Sequence, residues 1–257
     1  MKIAVTGEGV TDYGAKEYGT TEWKWGPVAI YLTRIAEQNN VKVELYPIPR
    51  EQVDNLRLQR RSLMGLEGKA IPSRKFAELM KRENCECGVY FCDADRETGA
   101  KNSSKKDAEN QLDKRYNEVM LGLKSECHDK IPMIPLRMIE NWIMSDLSAI
   151  EKVYKKKFKK AVSLNDCELL WGDKRDPDSN YPKNYLARMI HSLDKKYEEE
   201  PMNAETFCRI AEQQDLETVR EICHRSFERF YNDYIGMLQH GKQTEERLKR
   251  TGSKDFT

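Results

Sequence analysis

The chain has 257 residues, of which 34% are charged and 39% apolar, and its lysines and arginines (44) almost balance its aspartates and glutamates (43). That length supports one large domain or two modest ones with a substantial core, and 9% aromatic residues is too many for a disordered polymer. No apolar run approaches the roughly eighteen residues that a spanning helix needs. The start, Met1-Lys2-Ile3-Ala4-Val5 running into Thr6-Gly7-Glu8, is too short and too acidic for a secretory leader, so a cytoplasmic location is expected. The net charge of +1 does not mark a nucleic-acid binder, and it leaves room for local basic patches. The seven cysteines lack paired C-x2–4-C spacing, which points to reduced, buried thiols rather than zinc.

The first half alternates strand and helix patterns. Residues 2–6 read as a short apolar strand ended by Gly7-Glu8-Gly9. Gly26-Pro27 opens a helix whose apolar face is Val28, Tyr31, Leu32 and Ile35. Val41 to Leu45 alternates with period two, as a strand does. A long polar stretch follows, then a helix from Pro72-Ser73 carrying Phe76, Leu79 and Met80. Gly88 to Cys92 is a continuous apolar strand, which suits a central position in a sheet. A helix is expected around 105–123, and a fourth strand over Ile131 to Leu136 whose prolines place it near an edge. Strands separated by helices imply crossovers and a mostly parallel sheet flanked by helices. Helices alone are expected beyond it, at 138–157, 184–197, 204–214 and 216–239. The organisation is therefore an α/β core over 1–137, a helical portion over 138–240 packed on it, and a charged, disordered tail over 241–257.

In an open parallel sheet, ligands bind beyond the carboxyl ends of the strands. Glu8 follows the first strand and Asp93-Ala94-Asp95 follows the third, so neighbouring strands would bring three carboxylates to one rim. Such a cluster either raises its own pKa values or binds a hard cation, and carboxylate oxygens suit Mg²⁺ or Mn²⁺. Taken singly, an Asp-x-Asp after a strand is often a capping loop, and a Glu between glycines a turn residue. Their joint placement is what points to metal.

Glu8-Gly9-Val10-Thr11-Asp12 is similar to the E-G-x-T-[ED] signature that opens the Toprim domains of overcoming-lysogenization-defect (OLD) nucleases, and Asp93-Ala94-Asp95 looks like the Toprim D-x-D. More narrowly, the chain resembles a bacterial domain family of unknown function with a Toprim-like core. The stretches Ile139-Glu140-Asn141-Trp142, Pro182-Lys183-Asn184-Tyr185 and Ile210 through Tyr231 carry that resemblance over nearly the whole chain. It implies Glu8 as a general acid/base or metal ligand, Asp93 and Asp95 as Mg²⁺ ligands, and Asp12 as an auxiliary acid. It also implies a large ABC-type ATPase partner and a toxic effector role in anti-phage defence.

Ile139, Trp142, Ile143, Leu147, Ile150 and Val153 make one apolar helical stripe. Glu140 lies at its flank, where it either joins the metal as a fourth carboxylate or remains a solvated surface acid. Asp146 falls inside the stripe and is expected to be a buried carboxylate paired to an arginine or to backbone amides. The Lys152–Lys160 run reads equally as a solvated helix end. The segment 50–75 is long for a structureless connection and is expected to fold over the rim. Arg60, Arg61, Lys69, Lys155, Lys156 and Lys183 are the expected nucleic-acid contacts. The reading that results is a Mg²⁺-dependent phosphodiesterase acting on RNA or DNA. A non-catalytic Toprim-shaped binding subunit and a metal-dependent glycosyltransferase stand as alternatives.

Overall fold

The computed structural model describes residues 1–94, 105–124, 129–160, 162–164 and 166–252, with side chains as far as Gln243. Strand β1 (Lys2–Thr6) pairs in parallel with β4 (Glu44–Pro47) on one side and with β5 (Cys87–Phe91) on the other. Strand β6 (Lys130–Met133) adds in parallel to β5, giving the order β4-β1-β5-β6. The most apolar strands are central, as burial on both faces requires. Pro132, which cannot donate to a ladder, stands on the edge strand β6, as its chemistry predicts.

The expected strand over 41–45 lies slightly later in the chain. Val41 instead closes α1 (Pro27–Gln38), donating its amide to Ala36 O at 2.9 Å, and pairing starts at Glu44.

Side chains alternate across the sheet. Ile3 and Val5 of β1, with Val89 and Phe91 of β5, face a core that contains α1. Ala4 and Tyr90 face the opposite core, covered by α4 (Ala70–Arg82) and α5 (Lys105–Leu123). Gly122 lets α5 close onto α4, because a Cβ there would strike Ser73 and the backbone of Ala70.

Among the described residues, the second half contains helices and no strand. These are α6 (Ile139–Met144), α7 (Leu147–Tyr154), α8 (Pro182–Leu193), α9 (Ala204–Gln213), α10 (Leu216–Ile222) and α11 (Phe227–Gly252), with two short 3₁₀ turns. All six contribute side chains to, or pack against, the core on the α1 face, so one apolar cluster runs from Ile3 to Leu238. Trp142 anchors it, stacked on Phe230 at 5.9 Å between centroids and edge-on to Phe227 at 5.0 Å.

Three expectations need correction. The helix expected over 138–157 breaks at Ser145–Asp146, because Asp146 caps a new helix. Its carboxylate accepts from the amides of Ser148 at 2.9 Å and Ala149 at 3.3 Å. Asp146 also accepts from the amide of Asp215 at 2.8 Å, so it is the buried carboxylate held by backbone amides that its position implied. The helix expected over 216–239 breaks between Ile222 and Phe227. The tail expected to be disordered from Gly241 continues α11 as helix to Gly252, and Lys242 Nζ donates to Asn39 O at 3.0 Å. A hairpin not anticipated from the sequence, β2 (Gly14–Lys16) with β3 (Trp23–Trp25), follows a π-helical turn over Gly9–Tyr13. The long polar connection after β4 contains two short helices, α2 (Arg50–Asn55) and α3 (Arg60–Leu63).

Candidate functional site

Strand β1 is followed in sequence by β4 on one side and, after a return crossover, by β5 on the other. The connections therefore diverge at the carboxyl end of β1, where an open parallel sheet forms its crevice. Two hydrogen bonds fix that end: Thr6 Oγ1 donates to Ile48 O at 2.8 Å, and Tyr13 OH donates to Val5 O at 2.8 Å. Glu8 leaves β1 there. Thr6 is in register with Tyr90, so Asp93 leaves β5 beside it.

Two cations from the 50–75 segment close over Glu8, as that segment's length suggested. Arg50 Nη1 lies 2.9 Å from Glu8 Oε1, and Lys69 Nζ forms an ion pair with the same oxygen. Arg50 is itself held by Asp54 at 2.9 Å and reaches Tyr90 OH at 3.2 Å. Glu118 accepts from the Lys69 amide and from Arg115 Nη1, both at 3.1 Å, which brings the α5 arginine to the same place. The Cys92 thiol reports how these charges surround it. Burial pushes its pKa well up, Glu8 and Asp93 push the same way, and Lys69 and Arg115 oppose them. Beside this group is a cleft of about 400 Å³ lined by Arg50, Asp54, Lys69, Lys75 and Arg115.

A second charged group forms below the turn after β1. Asp12, Glu140 of α6 and Lys183 of α8 interact there, and the two acids are almost fully buried. Gly26 lets the turn after β1 pack against the start of α1, since a Cβ would collide with the Asp12 carbonyl. Burial pushes the Asp12 carboxyl up to about 8, the neighbouring Glu140 adds to that, and Lys183 opposes it. Burial also raises Glu140, against its own backbone amide and Lys183. Glu140 is 2% exposed and its Oε2 has no hydrogen-bond partner among the described residues, so the solvated-acid reading of this residue is wrong. Lys183, expected at nucleic acid, sits over the Phe207 ring at 5.8 Å and offsets the two acids.

The other expected contacts are dispersed. Arg60 and Arg61 are exposed on α3. Lys155 ends α7 in the left-handed conformation (φ 51°), and Lys156 pairs with Asp194 at 3.0 Å. Asp95 lies outside the described residues. Among the described residues, no three His, Cys, Asp or Glu side chains are grouped to hold a metal ion. Arg50 and Lys75 belong to the basic 50–75 segment expected over the rim, although no contact was assigned to either; the part of Tyr90 and Arg115 was missed. Arg50 had a signal, since it follows Pro49 directly beyond the second sheet strand, where rim residues are found.

Residues 35–233 match a family described as a domain of unknown function, DUF4276. That span takes in Asp93, Glu140 and Lys183 and begins after Glu8 and Asp12. No curated protein and no solved structure matches the chain.

Proposed function

On the premise that the chain belongs to the DUF4276 family, we propose that it is a Mg²⁺-dependent phosphodiesterase acting on nucleic acid, built on a Toprim-like sheet. The observation that carries the reading is the rim itself. Glu8 is clasped by Arg50 and Lys69 beside Asp93, at the switch point of a parallel sheet, next to a cleft lined by four basic side chains. The donor set fits the metal: Mg²⁺ keeps several waters and needs only one or two protein carboxylates, which Asp93 and Glu8 would supply. Bound there, Mg²⁺ would neutralise charge on the phosphoryl oxygens under attack.

The chain's own groups account for the rest. A substrate phosphate competes with Glu8 for Arg50 and Lys69, and both cations offer it charge-assisted hydrogen bonds. As they turn to the phosphate, Glu8 Oε1 is freed to take the proton of an attacking water. Lys75 and Arg115 extend the basic wall along which a polyanion lies. The effector role and the ATPase partner extend the same proposal and rest on the resemblance, and a cytoplasmic setting is proposed with them.

A non-catalytic binding subunit is the second reading. It is favoured by Glu8 being engaged by two cations, as a purely electrostatic phosphate clasp would have it. Cleavage of RNA and DNA with Mg²⁺ or Mn²⁺, and with chelator, separates the two. The phosphodiesterase requires metal-dependent cleavage that falls at least about a hundredfold in Glu8→Gln and Asp93→Asn. Metal-dependent cleavage retained in both variants removes the proposed site. Tight binding without cleavage, alone or with a co-encoded ATPase, establishes the binding subunit.

A further inference from the structure

Arg50 lines two clefts. One is the basic cleft; the other, of about 390 Å³, has walls that include Gly7, Gly9, Tyr13, Gly14 and Trp23. Its size falls in the range of small-molecule sites, about 300–1,000 Å³, and its chemistry differs from its neighbour's. Tyr13 and Trp23 pack with centroids 4.9 Å apart, and Trp25 backs Trp23 at 6.0 Å, so the aromatic wall is rigid. Gly9 (φ +77°) and Gly14 (φ +114°) adopt backbone conformations that side-chain-bearing residues rarely take. Those positions therefore stay bare, and a flat ring can approach the backbone. The indole Nε1 of Trp23, buried beside Gly14, has no hydrogen-bond partner among the described residues. Gly7 and Gly9 flank Glu8 in the chain, so this aromatic cleft adjoins the charged rim.

A flat ligand with polar edges and an attached phosphate matches two clefts that share one arginine. The geometry points to the cleft walled by Trp23 as the seat of an unpaired nucleobase, its ring against Trp23 and its phosphate on Arg50 and Lys69. This inference rests on the phosphodiesterase reading for its substrate class and narrows that class to single-stranded nucleic acid. A base inside a duplex is already stacked and does not reach a recessed wall unless it is pulled out of the helix. Stacking on one aromatic ring tolerates any base, so the cleft selects strandedness rather than sequence.

The test is equilibrium binding of fluorescein-labelled single-stranded and duplex oligonucleotides, RNA and DNA, in chelator so that nothing is cleaved. Single strands bind more tightly than duplex of the same length. Trp23→Ala weakens single-strand binding by roughly five- to a hundredfold, the worth of one stacked base. Trp23→Phe, which keeps a ring, recovers most of it. Circular dichroism and thermal melting establish that the variants are folded. If Trp23→Ala does not fold, the same question is put to the wild type with oligonucleotides carrying an abasic position, which weaken binding as the alanine variant does. Equal affinity for duplex and single strand, or no penalty from either the alanine variant or abasic positions, overturns the inference. Binding that depends on Trp23 while no metal ever yields cleavage retains this inference and removes the phosphodiesterase. Cleavage indifferent to Trp23 does the reverse.

Discussion

Replacing Asp146 with alanine tests the architecture that holds the second half to the sheet. Its Oδ1 accepts the amides of Ser148 and Ala149 and the Ser148 hydroxyl at 2.7 Å, and its Oδ2 accepts the amide of Asp215. The carboxylate thus starts α7 and ties it to the start of α10. Losing an N-cap costs about 1 kcal/mol. Stranding the partly buried Asp215 amide adds about 1–3 kcal/mol. The sum, about 2–4 kcal/mol, lowers the melting temperature by roughly 5–15 °C in a chain of this size. Asp146→Asn keeps an acceptor for the cap but sets an amide group against the Asp215 N–H, so it falls between wild type and alanine. Differential scanning calorimetry of the three proteins at one pH is the assay. An alanine variant melting within about 2 °C of wild type would refute the reasoning, because the two helix starts would then be satisfied without this carboxylate.

Asp12→Asn alters the pH dependence of stability. The folded state keeps on Asp12 a proton that the unfolded chain releases above about pH 4. Asp12 therefore lowers stability progressively as pH rises through the window up to about 8. Urea titrations should show the Asn variant gaining on wild type across that window, by at most about 6 kcal/mol, and parallel curves would remove Asp12 as the cause. Glu140→Gln removes a neighbouring charge and moves the wild-type inflection to lower pH in the same titrations. Lys69→Ala and Arg115→Ala should each weaken nucleic-acid binding and reduce the slope of log affinity against log salt by about one, as lost phosphate contacts do. Glu8→Gln releases Arg50 and Lys69 and should tighten binding by about two- to fivefold in fluorescence anisotropy while abolishing cleavage. Weaker binding would mean that Glu8 positions the cations rather than competing for them.

The sequence made the sheet legible because burial writes directly into composition. The unbroken run from Gly88 to Cys92 had to be central, and the prolines after Ile131 had to be near an edge. The placement of Glu8 and Asp93 at one rim followed, since strand ends in a parallel sheet have one address. What stayed hidden was local competition. The apolar stripe from Ile139 to Val153 continues across a break because Asp146 serves two helices, and periodicity does not register a cap inside a stripe. The β2–β3 hairpin has three-residue strands, too short for alternation to show, although Trp23-Lys24-Trp25 and the glycines at 14 and 19 were its traces. Helix α11 outruns its apolar face, and its backbone runs on to Gly252, past the boundary that the hydrophobic pattern marked. The pairing of Glu140 with Asp12 and Lys183 joins residues 128 and 43 positions apart, and no local signal encodes that.

The core that runs from Ile3 to Leu238 has a consequence for how the chain leaves the ribosome. One face of the sheet is covered by α4 and α5, which are made in step with the strands they pack on. The other face receives only α1 early, and Phe227, Phe230, Tyr234 and Leu238 are made long after β1 and β5. For much of translation, Val89 and Phe91 in the middle of the sheet therefore face outward without their final cover. Nascent chains stalled before residue 227 should then engage chaperones that bind exposed apolar surface, and chains extended past α11 should not.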